Sequence, residues 1–237
     1  AINATQLADF LEHNAKIPPR SVVLIQDDRH YAENFEHFRE YHDQWGWPLV
    51  SGWISFEDSI RTAVLPDNLA LNAEGWVDYQ SHGYIHNIPM SDSSTNEFII
   101  CEFERSKKDL ETNFNKEPMA IIWPGGGFGV RPVQFARQYG YRIGFTTNPR
   151  GPVMFNWIPL ADQIDPQRPY FLPEGSVNDP LMVLPRYWPY QVLANLDLIR
   201  NIGNEASLYA EQNKVTELEY YDIVCAPTYG PIPAAIP

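Results

Sequence analysis

Six short apolar runs punctuate this chain, each stopped by a polar or glycine-rich motif and followed by residues enough for a helix. They are Ser21–Gln26, Pro48–Ile54, Trp76–Gln80, Met119–Trp123, Tyr141–Thr146 and Leu181–Leu184. Between them lie segments of helical spacing. Asn34–Trp45 carries Phe35, Phe38 and Tyr41. A long helix capped at Asp92 or Ser93 runs to Phe114 with Phe98, Ile99, Phe103 and Leu110. Gln134–Tyr139 ends at Gly140, and a last helix starts near Gln191. Runs of this kind alternating with helices are the pattern of a parallel α/β fold. In such folds functional groups collect at the C-terminal ends of the strands, so the residues that stop each run are where chemistry is expected.

Length and composition agree with one large core. The 237 residues fit a single α/β barrel domain, with a helix in residues 1–16 and a proline-rich surface tail over 227–237. Hydrophobic residues make up 44% and charged residues 20%, which disfavours disorder. A net charge of −13 disfavours nucleic acid and anionic membrane surfaces as partners. No run reaches the roughly 18 apolar residues of a membrane span. The opening Ala-Ile-Asn-Ala is not a basic and apolar leader, so any signal peptide is expected to have been removed or never present. Cys101 and Cys225 read as two isolated thiols, with a disulfide the other possibility.

Asp27 and Asp28 follow the first run directly. Adjacent carboxylates at a strand end point different ways, so one can bind a cation while the other handles a proton; alone, the pair is equally a solvated turn. Ser81-His82-Gly83-Tyr84-Ile85-His86 follows the third run. Two imidazoles four residues apart can converge on one ion, and neutral imidazole suits zinc and its first-row neighbours. With one Asp they make a two-histidine, one-carboxylate set. Trp123-Pro124-Gly125-Gly126-Gly127 ends the fourth run, where glycine lets backbone N–H groups approach a ligand closely; a plain turn is the other reading. Leu184-Pro185-Arg186 ends the sixth, and Arg186 on spacing alone is a structural ion-pair residue.

Taken in this order, the motifs resemble those of the polysaccharide deacetylases, the NodB-homology group or carbohydrate esterase family four. Their T-F-D-D-G corresponds to Ile25-Gln26-Asp27-Asp28-Arg29, and their S-H-x-x-x-H to Ser81–His86. Ile122-Trp123-Pro124-Gly125-Gly126, Gly140–Thr147 and Leu184-Pro185-Arg186 follow, and Ser106-Lys107-Lys108-Asp109-Leu110 is similar to the family's S-K-x-x-L helix. The resemblance runs from about Ile17 to Tyr187. It implies a distorted (β/α) barrel of about seven parallel strands and a metal-dependent hydrolase that removes acetyl groups from an N- or O-acetylated polysaccharide. It makes Asp27 the general base, with Asp28, His82 and His86 as ligands of one divalent metal ion: zinc first, cobalt or nickel otherwise. Gly125 becomes the oxyanion donor through its N–H. Secretion or the cell envelope follows from polymeric substrates.

The chain also departs from the family pattern. Arg29 stands where glycine is usual, so the turn must differ or carry strain. Gly125 stands where tyrosine is common. All six histidines lie at or before His86, so the late histidine of many relatives is absent, and His30 is the candidate substitute. Arg186 is the candidate to steady Asp27. Tyr84, Trp123, Trp157 and Trp188 are candidate sugar-stacking residues. The alternative functions are a catalytically weak glycan-binding relative and an amide hydrolase acting on a small molecule.

Overall fold

The computed structural model describes residues 1–12, 14–18, 21–148 and 173–231. Among them, helix α1 (Ala4–Leu11) precedes strand β1 (Ile25–Gln26). Then follow α2 (Glu36–Trp45), β2 (Leu49–Trp53), α3 (Ser59–Glu74), β3 (Val77–Ser81), α4 (Asn96–Phe114), β4 (Ala120–Ile122), α5 (Val130–Gln138) and β5 (Ile143–Phe145). All pairings are parallel and the sheet order is simply β1-β2-β3-β4-β5. The α/β class and parallel sheet expected from the apolar runs are therefore present.

Alternation along the strands divides the core into two faces. Leu49, Trp53, Val77 and Tyr79 pack with Val64 and Leu71 of α3 and Leu110 and Phe114 of α4. Ile121 and Trp123 pack with Ile99 and Phe103 of α4 and Val133 and Ala136 of α5. On the opposite face Val50, Ala120, Ile122, Ile143 and Phe145 meet Ala4 and Ala8 of α1. That small helix is fixed there by polar contacts: Arg142 reaches Asp9 and Glu12, and the Ala4 N–H donates to Asp78.

Five strands, and not about seven, are formed among the described residues. The run at Leu181–Leu184 shrinks to a single bridge between Leu184 and Phe145. Pro180 opens a tight 3-10 turn over Pro180–Met182, and Pro185 has no N–H to continue a ladder, so only Leu184 can join the sheet. The first run pairs only over Ile25–Gln26, because the Val22 carbonyl accepts from Ile2 instead.

Helix α3 has no counterpart in the sequence reading, since Pro66 lies inside it. Asp58 caps its start, Gly75 at φ 83° ends it, and packing of Val64 and Leu71 supports it across the break. The long helix α4 is capped by Thr95 and not by Asp92 or Ser93; Asp92 accepts from the Arg131 N–H instead. Helix α1 is shorter than the expected 1–16. Residues 227–229 of the expected tail instead belong to a helical turn, Ala226–Tyr229, that continues from the helical segment Tyr221–Cys225. Cys101 is a free thiol, and the side chain of Cys225 lies outside the described set.

Candidate metal centre

The motifs meet at the C-terminal edge of the sheet. Asp28 leaves β1, while His82 and His86 follow β3. Their donor atoms lie within 4.8 Å of one another. His82 Nε2 is 3.6 Å from Asp28 Oδ1 and His86 Nε2 is 3.4 Å from the same oxygen. These separations are too long for good hydrogen bonds. Donors held about 2.0–2.2 Å from a tetrahedral cation stand roughly 3.3–3.5 Å apart, so the spacing fits an ion between them. Asp28 Oδ1 is itself buried without a hydrogen-bond partner, a costly state that a cation would relieve.

The orientation of His82 is fixed from behind. Its Nδ1 lies 2.6 Å from the Ile122 carbonyl oxygen, a contact that requires Nδ1–H to donate and leaves the Nε2 lone pair facing Asp28. Gly52 of β2 makes room for the ring, since a Cβ there would come within 3.3 Å of His82 Cβ. Gly83, at φ 74°, is required more strictly: a Cβ would collide with Glu102 Oε2 and Pro124 Cγ, at 2.6 and 2.7 Å. Glu102, fully buried on α4, accepts the Tyr84 and Ile85 N–H groups at 2.7 and 2.8 Å and so shapes the loop between the two histidines. Nothing in the local sequence marks Glu102 for this; it lies 16 positions beyond His86.

Electrostatics favour the ligand form of His86. Burial first, and then the neighbouring His82, lower the pKa of His86, which favours the neutral imidazole that a metal requires.

Asp27 turns the other way and meets Arg186. The guanidinium donates Nη1 to Oδ1 at 2.6 Å and Nη2 to Oδ2 at 2.9 Å, while Nε donates to the Thr146 carbonyl at 2.7 Å. This two-pronged contact brings together residues 159 positions apart. His30 Nε2 lies 2.5 Å from the Asp27 carbonyl oxygen, so that nitrogen donates to backbone and braces the turn. Gly125 sits at an exposed turn with φ 57°.

Two expected stacking residues are corrected. Trp123 is 0% exposed: its ring lies among Phe103, Ile121 and Met182, and its Nε1 donates to the Met182 carbonyl, so no face is open to a sugar. Tyr84 is 8% exposed, its ring covered by Arg105 and edged by Phe56. Trp188 remains 44% exposed beside Arg186. Trp157 lies outside the described residues.

The fold and the grouping of these side chains are similar to those of polysaccharide deacetylases. Residues 53–144 match the family model described as polysaccharide deacetylase, a stretch containing both histidines and Gly125 but starting downstream of the Asp pair. Solved structures share the fold. IcaB from Ammonifex degensii matches with a TM-score of 0.56 at 12% identity, over 81% of this chain and 80% of that one. The Streptococcus pyogenes deacetylase PplD, in complex with acetate, matches with a TM-score of 0.55 at 19% identity, over 62% and 65%. The BpsB deacetylase domain from Bordetella bronchiseptica gives 0.53 at 16%, over 62% and 72%. This chain thus spans a little under two thirds of the streptococcal one. No curated protein matches. Among the described residues no helix is long and apolar enough to cross a membrane.

Proposed function

We propose that this chain is a metal-dependent deacetylase of an acetylated glycan, acting outside the cell or at its envelope. The observation that carries the reading is the convergence of His82 Nε2 and His86 Nε2 on the unpartnered Asp28 Oδ1. Asp28, His82 and His86 would hold one divalent ion, zinc being the first choice for this donor set and cobalt or nickel the others. When bound there, such an ion polarises an acyl oxygen and acidifies a water.

The remaining roles fall to the chain. Asp27 accepts the proton of the attacking water. A carboxylate offers about four lone-pair positions, and Arg186 uses only one on each oxygen, so Asp27 keeps accepting capacity while its direction is fixed. The Gly125 N–H donates to the oxygen that becomes negative as the acyl carbon turns tetrahedral, an interaction whose loss costs about 3–4 kcal/mol in comparable sites. The proton that Asp27 takes up can then pass to the leaving oxygen or nitrogen. Trp188 offers an exposed ring for a sugar face.

Acetate release from acetylated chito-oligomers and from acetylxylan tests this. The wild type should release acetate from at least one, and Asp27→Asn should lose release while keeping its metal. Binding of both glycans without acetate release by the metal-loaded wild type would instead make the chain a weak glycan-binding relative.

A further inference from the structure

Arg29 occupies the position after the Asp pair where the family pattern has glycine. The left-handed backbone falls on the residue before it, Asp28, at φ 69°. Among the described residues only Asn115 and Asn178 share a positive φ without being glycine, and both close a helical turn. Asp28 therefore holds an uncommon conformation, at a cost of about 1–3 kcal/mol, that its surroundings must enforce.

The Arg29 side chain shows how. Only 9% exposed, it donates Nη1 and Nη2 to the two carboxylate oxygens of Asp58 at 2.9 and 2.8 Å, and Nη1 also to the Phe56 carbonyl at 2.9 Å. Asp58 is fixed in turn, because its Oδ1 accepts the Arg61 N–H at the start of α3. One residue further, the His30 carbonyl accepts from Asn68 of the same helix. The turn that carries Asp27 and Asp28 is thus suspended from α3 at two points, and α3 is anchored in the core through Val64 and Leu71.

We propose that Arg29, through its pairing with Asp58, is a positioning residue for Asp28. It holds the carboxylate in the left-handed turn that aims Oδ1 at His82 and His86. The inference rests on the metal site proposed above. It assigns to a residue foreign to the family pattern the task of pre-organising one ligand.

The test is zinc affinity, by competition with a chromophoric chelator, beside the visible spectrum of the cobalt-loaded protein. Arg29→Gln removes the fork. Asp58→Asn removes the charge but keeps a side-chain oxygen to cap α3, so it reports on the pair even where Arg29→Gln folds poorly. Each should weaken zinc binding by about tenfold and shift the cobalt bands, as loss of a ligand's support does. The double variant should be little worse than either single one, because both break the same contact. Arg29→Lys should recover part of the affinity. Unchanged affinity and spectrum in the single variants, or effects that simply add, would overturn the proposal. A wild type that binds no zinc would overturn the metal site itself; zinc binding that ignores Arg29→Gln and Asp58→Asn overturns only the positioning role.

Discussion

Arg186 grips Asp27 with two parallel hydrogen bonds, at 2.6 and 2.9 Å, from a loop that enters the sheet by one bridge at Leu184. Both side chains are mostly shielded from water, so the contact is geometrically restrained as well as charged. Arg186→Met should therefore lower kcat by roughly 10- to 100-fold, the scale of a small misplacement of a reacting group, and leave zinc stoichiometry unchanged. Steady-state kinetics with metal analysis decide the matter, and unaltered rate and pH profile would remove the role.

Gly52 lets the His82 ring stand where Nδ1 reaches Ile122 and Nε2 reaches Asp28. A methyl group at Gly52 would press on the first atoms of that side chain. Gly52→Ala should weaken zinc binding about 10-fold, within the range for lost ligand support, with little change in fold as judged by circular dichroism.

Glu102 is pushed above its ordinary value of 4.5 by burial, opposed by the two backbone N–H groups that it accepts. The folded chain then binds that proton more tightly than the unfolded chain does. Stability from this group is full below about pH 4.5 and is lost as pH rises through the higher folded value. Glu102→Gln removes the titration. The stability of the variant relative to wild type should therefore improve as pH climbs from 4 to 7 in urea unfolding of the metal-free proteins. A difference that does not vary with pH would contradict this.

Trp123 and Trp188 should separate cleanly. Trp123→Phe loses the bond to Met182 and should cost about 1–3 kcal/mol of stability, with no change in KM measured on folded protein. Trp188→Ala should raise KM for a glycan and leave the unfolding midpoint nearly unchanged.

Those two tryptophans also show what the sequence could reveal. Each is followed at once by a proline, so that shared signal does not distinguish a ring buried against Phe103 from one left at the surface. The strand ends were legible because apolar runs stop sharply at Asp27, Ser81 and Pro124, and the histidine spacing placed both imidazoles on one loop. Glu102, Asp58 and the Ile122 carbonyl act from other elements, 16 to 40 residues away from the ligands they support, and their roles exist only once the chain has folded. Helix α3 was hidden for a different reason: Pro66 argues locally against a helix that core packing nevertheless sustains.

In the proposed centre, side chains from two strand ends hold a single ion. Equilibrium dialysis against zinc, on wild type, Asp27→Asn and His82→Ala, addresses it directly. One zinc per chain in the first two and none in the third, at the same free concentration, is the result expected. A wild type without zinc, or a His82→Ala variant that binds it equally well, would contradict it.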